Sequence, residues 1–298
     1  MNARPIRVLI AGSAGQLGRA LAATAPAGVT LIAPPEAAFD ILSDAMVTDV
    51  VAAEQPDLII NAAAYTAVDK AEAERDIAEA VNATAAGRLA RAAARAGAGF
   101  VHVSTDFIFD GAASRPYPPS ATPAPLGVYG ETKLNGERAV EAAHMAPIIV
   151  RTAWVYAAVG NNFVKTMLRL MAERDEVRVV ADQIGTPTHA AGLARAIWAL
   201  HAAGASGTFH WTDAGAASWY DFAVAIQEEA LAVGLLEQQA KVLPIRTEDY
   251  PTPAARPSYS VLDKSATWAI TGIAAHWRTE LRTCLAAMKA ASLKGDAA

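Results

Sequence analysis

The sequence predicts an α/β protein built on a doubly wound parallel sheet, followed by a smaller, irregular C-terminal lobe. The first observation is a continuous apolar run at residues 7–11 (RVLIA), typical of a buried parallel strand, which runs directly into a glycine-rich turn. The second is an alternation of further apolar runs with helical segments through the first half of the chain. The apolar runs lie at 58–60, 100–103 and 148–150, and the helical segments at 78–96 and 132–143.

The glycine-rich turn, GSAGQLG at residues 12–18, lies between this first strand and a segment with apolar residues at helical spacing. Strand, glycine turn and helix in this order are typical of a Rossmann-type dinucleotide site. Gly12 would allow the tight turn, Gly15 a close approach of the backbone to a pyrophosphate, and Gly18 close packing of helix on strand. The pyrophosphate would lie at the helix N-terminus, where free N–H groups and the helix dipole favour an anion. The alternative is a surface loop that needs glycines only for its own shape.

We expect residues 1–154 to form the NAD(P)-binding domain, with residues of about 186–212 returning to it, and residues 155–298 to form mainly the substrate-binding lobe. In doubly wound sheets, ligands bind beyond the carboxyl ends of the strands. Small or polar residues follow three of the apolar runs, in the segments NAAAY (61–65), STD (104–106) and RTAW (151–154). The sequence therefore places a site at this edge of the sheet.

Tyr129 and Lys133 are four residues apart in VYGETKLNGE, so on a helix they share one face. A free phenol has a pKa of about 10 and is a poor acid–base catalyst at neutral pH. A lysine charge roughly 5 Å away stabilises the phenolate by about 3 kcal/mol at an effective dielectric of about 20, or about two pKa units. We therefore expect Lys133 to lower the pKa of Tyr129 and bring it towards the range of efficient proton transfer.

Composition excludes several functional classes. The chain has 298 residues, a net charge of −5 and no basic run, which argues against a nucleic-acid partner. Its single cysteine, Cys284, excludes an internal disulfide and fits a reducing compartment. No apolar stretch has the length to span a membrane, and Met1 to Arg4 leads straight into the first strand without a secretory pattern. We expect a cytoplasmic protein without a membrane partner and, since the histidines lack paired ligand spacing, without a metal.

Several segments resemble the extended short-chain dehydrogenase/reductases and, within them, the dTDP-4-dehydrorhamnose reductases. They run over most of the chain in the order of that family: GSAGQLG (12–18), NAAAYTAVDKAE (61–72), STDFIFDG (104–111), VYGETKLNGE (128–137), RTAWVY (151–156), NNFVKTML (161–168), DQIGTPT (182–188) and YPTPAARP (250–257). The resemblance implies reduction of dTDP-4-dehydro-β-L-rhamnose to dTDP-L-rhamnose with NAD(P)H. It favours NADPH, with NADH also accepted.

The same resemblance assigns roles to individual residues. Tyr129 would be the proton donor, Lys133 would also hold the nicotinamide ribose, and Thr105 would donate a hydrogen bond to the ketone oxygen. The cofactor would be bound by Gly12, Gly15, Gln16, Leu17, Gly18, Asp40, Ile41, Ala62, Ala63, Ala64, Tyr65, Tyr129 and Lys133. The nucleotide-sugar substrate would meet Asp69, Thr105, Asp106, Tyr129, Trp154, Asn161, Asn162 and Arg256. The alternatives are tight strand packing for the alanines, a core position for Trp154 and a surface loop for Arg256.

Two departures from the family pattern bear on function. Phe107 stands where many relatives have tyrosine, so a hydroxyl contact there is absent. Ala191 stands where a glutamate of a magnesium-bridged dimer is expected, which favours a monomer or a weak homodimer. Two alternatives remain open: another nucleotide-sugar reductase or epimerase of the same superfamily, or a non-catalytic subunit resembling the regulatory subunit of methionine adenosyltransferase.

Overall fold

A six-stranded parallel sheet forms the centre of the computed structural model, which describes residues 4–295. Its strands are β1 (Ile6–Ala11), β2 (Val29–Ile32), β3 (Leu58–Asn61), β4 (Gly99–Thr105), β5 (Ile148–Thr152) and β10 (Gly207–His210). Their spatial order is β2-β1-β3-β4-β5-β10, with every pair parallel. The fold-class prediction is confirmed. Of the segment Met1 to Arg4, expected to lead straight into the first strand, the part before Arg4 lies outside the described residues.

The chain changes direction across the sheet at β1, whose neighbours are β2 on one side and β3 on the other. The glycine-rich turn follows β1 and so lies at this switch point, where doubly wound sheets open a crevice for ligands. The strands are apolar throughout because both faces of the sheet are covered. Val8, Ile10 and Ile60 belong to one core cluster, whereas Leu9 and Ile59 belong to the other.

Helices cover the two faces. On the first, α1 (Gln16–Ala23) and α8 (Ala190–Ala202) pack against the sheet. On the second are α2 (Asp44–Glu54), α5 (Ala85–Ala96) and α6 (Val128–Ala143). Two short helices, α3 (Val68–Ala71) and α4 (Arg75–Glu79), come before α5, and a π-helical turn over Ala80–Thr84 joins α4 to α5. The expected helix over 78–96 is therefore interrupted by a wider turn.

The C-terminal part contains more helix than its loosened sequence pattern indicates. Its helices are α7 (Phe163–Glu173), α9 (Trp219–Ala232), α10 (Ser265–Thr271) and α11 (Trp277–Gly295). Three two-stranded ladders connect them: β6 (Val155–Tyr156) with β9 (Thr188–His189), β7 (Glu176–Val180) with β12 (Lys241–Ile245), and β8 (Ile184–Gly185) with β11 (Ala217–Ser218). Segments 36–38, 106–108 and 247–249 are single 3₁₀ turns.

A third core cluster joins α7, α9 and α11, and it is rich in aromatic rings. Phe222 on α9 lies at its centre, 5.5 Å from the ring of Phe163 and 5.8 Å from that of Trp277. Trp154 and Trp219 also pack against this cluster. Within residues 4–295, no helix combines the length and apolarity needed to cross a membrane.

Candidate active site

The glycine-rich turn has the geometry of an anion cradle. Gly12 is left-handed, with φ of 77°, and a Cβ there would lie 2.6 Å from the backbone nitrogen of Ala63. A Cβ on Gly18 would lie 2.6 Å from Ser13 Cα, so α1 packs directly on the turn. Gly15 is different, because it is the N-cap of α1 and borders open space on its cavity side. The first turn of α1 therefore presents its N–H groups to that space.

Two cavities meet over this turn. The Tyr129 cavity, of about 610 Å³, lies beyond the ends of β4 and β5 and is lined by Thr105, Tyr129 and Lys133 among others. The Asp40 cavity, of about 380 Å³, lies beyond β1 and β2 and contains Asp40, Ile41 and Glu36. The two share Ala14, Gly15 and Ala62–Ala64. Together they offer an elongated groove with a helix N-terminus at its middle, which fits a dinucleotide.

Tyr129 reaches the Tyr129 cavity because the start of α6 packs closely on the segment after β4. A Cβ on Gly130 would lie 2.9 Å from the carbonyl carbon of Phe107, so only glycine allows this approach. The Glu72 carboxylate accepts a hydrogen bond of 2.8 Å from the Val128 N–H and so caps the helix from another segment. The Phe107 ring packs edge-on against Tyr129, with centroids 5.5 Å apart.

Lys133 lies one helical turn after Tyr129 and is almost fully buried, with 1% of its surface exposed. Its ammonium donates a hydrogen bond of 2.7 Å to the carbonyl oxygen of Val103. Burial lowers the pKa of Lys133 to about 8, although the Glu137 carboxylate opposes this shift. Glu137 itself forms a buried, two-pronged ion pair with Arg151 at 2.7 and 2.9 Å.

The expectation that Lys133 lowers the pKa of Tyr129 is wrong for this structure. Burial raises the pKa of Tyr129 to about 12; the neighbouring Thr105 hydroxyl opposes this rise, and the negative charge of Asp106 adds to it. The ammonium of Lys133 is directed to Val103 instead. The phenol is therefore protonated at neutral pH, which is the form that a proton donor requires.

Thr105 and Asp106 form a buried pair below Tyr129. The Thr105 hydroxyl donates to Asp106 Oδ1 over 3.1 Å and accepts from the Phe107 N–H over 3.2 Å. Burial raises the pKa of the Asp106 carboxyl to about 6, and the neighbouring hydroxyls of Ser260 and Thr105 oppose this rise. Asp106 has only 1% of its surface exposed, so it holds Thr105 in place more than it presents a carboxylate to the cavity.

Comparison with known proteins identifies the family. Residues 6–290 match the family model described as "RmlD substrate binding domain". A dTDP-4-dehydrorhamnose reductase of Mycobacterium tuberculosis is 44% identical over 300 residues, which cover 96% of this chain and 95% of the relative. The chain belongs to the dTDP-4-dehydrorhamnose reductase family.

Two solved structures of such reductases have the same fold. That of Clostridium acetobutylicum superposes with a TM-score of 0.90 at 40% identity, covering 95% of this chain and 100% of its own. That of Bacillus anthracis, determined in complex with NADP, superposes with a TM-score of 0.89 at 39% identity. The match covers 94% of this chain and 98% of the Bacillus anthracis chain. The resemblance drawn from the sequence motifs is confirmed.

The structure brings most of the site residues expected of this reductase family to the two cavities. The Tyr129 cavity contains Gly15, Gln16, Leu17, Ala62, Ala63, Ala64, Thr105, Asp106, Tyr129, Lys133, Trp154, Asn161 and Arg256. The Asp40 cavity contains Gly12, Gly15, Asp40, Ile41, Ala62, Ala63, Ala64 and Tyr65. Gly18 lines neither, because it is packed beneath the turn.

Two expected substrate residues lie elsewhere. The Asn162 side chain caps α7 by accepting from the Lys165 N–H over 3.1 Å, and it donates to Gln16 Oε1 over 2.9 Å. Asp69 lies outside the wall of the Tyr129 cavity and forms a two-pronged ion pair with Arg256, at 2.7 and 3.0 Å. Both side chains are thus engaged by other residues of this chain. They support cavity residues instead of lining the cavity themselves.

Sequence reasoning missed part of the cavity wall. Trp219, Thr66, Val68, Ser104 and Thr152 all line the Tyr129 cavity. Ser104 and Thr152 carry buried hydroxyl oxygens for which the described residues offer no hydrogen-bond partner. Their position at the ends of β4 and β5, beside Thr105, could have predicted that Ser104 and Thr152 line the cavity. Nothing in the sequence around Trp219 predicted its place in the cavity wall, because this residue lies in the C-terminal part, far along the chain from the motifs at the strand ends.

Proposed function

We propose that this chain reduces dTDP-4-dehydro-β-L-rhamnose to dTDP-L-rhamnose with NADPH as the hydride donor. The observation that carries the proposal is the meeting of Thr105, Tyr129 and Lys133 with the Gly15 turn in one continuous groove. Hydrogen-bond donors for a ketone oxygen and a cradle for a dinucleotide are the two requirements of such a reduction. Membership of the reductase family supports the choice of substrate.

Proton transfer is assigned to Tyr129. Since burial raises the pKa of Tyr129 to about 12, the phenol carries its proton at neutral pH and can give it to the oxygen of the ketone as that oxygen gains negative charge. The Thr105 hydroxyl, which donates to Asp106 Oδ1 in this structure, would turn its hydrogen to the substrate oxygen and stabilise the developing alkoxide. The aromatic edge contact with Phe107 limits rotation of the Tyr129 ring.

The geometry of the glycine-rich turn makes the groove suitable for NADPH. Gly15 leaves the first turn of α1 open to a pyrophosphate, whereas a Cβ on Gly12 or Gly18 would collide with the backbone. The small side chains of Ala62, Ala63 and Ala64 leave room where the two cavities meet. When bound, NADPH supplies the hydride to the ketone carbon. Lys133 would orient the ribose through its ammonium group, which loses its charge above about pH 8.

The substrate would enter from the C-terminal side. Arg256 lines the Tyr129 cavity, and its planar guanidinium suits the diphosphate of a nucleotide sugar. Asp69 holds that guanidinium at 2.7 Å, and the ion pair lowers the pKa of Asp69, so the carboxylate stays charged. Trp154 and Asn161 complete the wall towards the sugar.

The direct test is consumption of NADPH, followed by its absorbance, when the purified protein meets dTDP-4-dehydro-L-rhamnose. The substrate is generated in place by the two upstream enzymes, and mass spectrometry identifies the product. Oxidation with formation of dTDP-L-rhamnose supports the proposal. NADPH binding without any oxidation contradicts it and favours another nucleotide sugar or a regulatory role.

We also propose that the chain acts as a monomer or a weak homodimer, because Ala191 supplies no carboxylate for a bridging magnesium ion. Sedimentation velocity across a range of protein concentrations, with and without Mg²⁺, tests this. A stable dimer that dissociates when Mg²⁺ is chelated contradicts it.

A further inference from the structure

Trp154 has an unusual backbone. Its φ is 48°, and among residues 4–295 only Gln55 is another non-glycine residue with positive φ. A bulky side chain in this left-handed region is strained, and such strain persists only where the surroundings fix it. The carbonyl oxygen of Trp154 accepts a hydrogen bond of 3.1 Å from the Thr188 N–H, which holds the strained residue against β9. An observed outlier of this kind, in the wall of a cavity, points to a functional constraint.

The indole of Trp154 is held by two other residues. The ring of Trp219 lies parallel to it, with centroids 3.5 Å apart and an angle of 10° between the planes. Face-to-face stacking this close is not what ring quadrupoles favour by themselves, so packing around the pair must impose it. Gly185 provides the other contact, since a Cβ there would lie 2.6 Å from Trp154 Cε2. The site of the indole therefore needs glycine at 185.

Both holding residues come from one small ladder. Strands β8 and β11 pair antiparallel with Gly185 opposite Ala217, and Trp219 follows β11 directly as the first residue of α9. A capping box fixes this helix start, with Ser218 and Asp221 exchanging hydrogen bonds of 2.9 and 3.0 Å. Phe163 packs on Trp219 at 4.7 Å between centroids. The ladder and the helix cap thus place both residues relative to Trp154.

We propose that Gly185 and Trp219 are positioning residues, which fix the Trp154 indole as an apolar wall of the Tyr129 cavity and so determine affinity for the sugar end of the substrate. The proposal rests on the proposed function, because it deepens the account of that same cavity. Trp154 and Trp219 line the space that Thr105 and Tyr129 also line. An apolar wall in the same cavity as those hydroxyls suits the C–H-rich face of a deoxy sugar, so the position of the wall determines how tightly the sugar end is bound.

The test compares Gly185→Ala and Trp219→Leu with Trp268→Phe, which alters an indole outside both cavities. Binding of dTDP-L-rhamnose, KM, kcat and NADPH affinity are measured for each. Loss of one aromatic pair, worth about 0.5–1.5 kcal/mol, corresponds to an increase of about two- to tenfold in the dissociation constant and KM for Gly185→Ala and Trp219→Leu. We expect kcat and NADPH affinity to change by less than about twofold, because binding and not chemistry is affected. Near-ultraviolet circular dichroism should lose the signal of the stacked indoles in Trp219→Leu and change in Gly185→Ala.

A double variant separates positioning from general damage to the fold. In a Trp154→Leu background the added methyl group of Gly185→Ala meets no indole, so it should change the dissociation constant of dTDP-L-rhamnose by less than about twofold. An equal loss in both backgrounds overturns the proposal. So does unchanged affinity in Trp219→Leu after the dichroism signal has gone. Failure of the wild-type chain to bind dTDP-L-rhamnose would instead contradict the proposed function, and the substrate role of the wall with it.

Discussion

The two sides of the groove are built differently. On the cofactor side, the wall comes from short segments that follow β1, β2 and β3, with glycine and alanine where the two cavities meet. On the substrate side, the wall is assembled from distant parts of the chain, and the ion pair of Asp69 with Arg256 joins residues 187 positions apart. Backbone shape defines the first side, and packed aromatic and charged side chains define the second.

This difference separates two kinds of functional requirement. A dinucleotide is held mainly by backbone N–H groups at a helix N-terminus, so any sequence that makes the turn makes the site. A particular sugar must be recognised by side chains with fixed positions, which need support from elsewhere. Trp154 illustrates the second case, since Trp219 and Gly185 hold it from the C-terminal part. The substitutions below test each side separately.

The largest expected effect is that of Tyr129→Phe. It removes the proton donor and leaves the glycine cradle unchanged, so turnover should fall by about 10²- to 10⁴-fold. The NADPH dissociation constant should stay within about twofold of wild type. Steady-state kinetics and fluorescence titration with NADPH measure the two quantities. Tyr250→Phe, at an exposed tyrosine outside both cavities, is the matched control. Near-normal turnover in Tyr129→Phe would remove this residue from the mechanism.

Gly15→Val tests the cofactor side alone. A Cβ at this position would lie 3.3 Å from the carbonyl oxygen of Gly12, so valine crowds the turn where the two cavities meet, and the NADPH dissociation constant should rise at least about 100-fold, equivalent to about 2.7 kcal/mol. Ala23→Val adds two methyl groups to an exposed position of the same helix and should leave affinity unchanged. Isothermal titration gives both constants. NADPH affinity equal to wild type in Gly15→Val would show that the cradle is misassigned.

Arg256→Ala tests the substrate side. Loss of charge-assisted hydrogen bonds worth about 1.5–3 kcal/mol should weaken dTDP-L-rhamnose binding about 10- to 100-fold. NADPH affinity should not change. Arg246→Ala, at an arginine with 71% of its side chain exposed, controls for the loss of one positive charge from the chain. If Arg246→Ala weakens binding as much as Arg256→Ala, the effect is general electrostatic attraction and Arg256 has no specific role.

The smallest effect concerns pH and Lys133. Its pKa, lowered by burial to about 8, means that the ammonium charge is present below that pH and lost above it. NADPH affinity should therefore decrease by up to about tenfold as pH rises through 8, and Lys133→Met should show weak affinity without this dependence. Lys165→Met, exposed and outside the cavities, should keep the wild-type profile. A pH-independent wild-type constant would contradict the role of the Lys133 charge.

The same lowered pKa affects stability with a defined sign. Between pH 8 and the ordinary lysine value of 10.5, the unfolded chain binds a proton at Lys133 that the folded chain has released. The unfolding free energy contributed by this group therefore increases with pH over that window. Comparison of Lys133→Met with wild type by denaturant titration measures the contribution. Weaker NADPH binding and higher stability at alkaline pH would then both come from loss of the proton from Lys133.

Much of the site could be predicted from the sequence, because many of its parts are positioned by residues that lie close together along the chain. The glycine turn, the strand-end segments and the spacing of Tyr129 and Lys133 predicted the groove, because each motif sits on a regular element whose end position is known. The direction of the Tyr129 pKa was mispredicted, because the prediction counted the lysine charge and left out the desolvation of the buried phenol. In the folded chain the ammonium donates to Val103, and burial dominates. The destinations of Asp69 and Asn162 were also unpredictable, because their partners lie far away in sequence.

The sequence by itself determined the doubly wound sheet, the family and the residues able to transfer a proton. These follow from apolar periodicity, from glycines that only certain turns require, and from spacing along a single helix. Only the tertiary structure decided which charges are free, where Asp106 is buried, and that Trp219 and Gly185 hold Trp154. The reason is physical: desolvation and side-chain packing depend on neighbours brought together by folding, and distance along the chain carries no information about them.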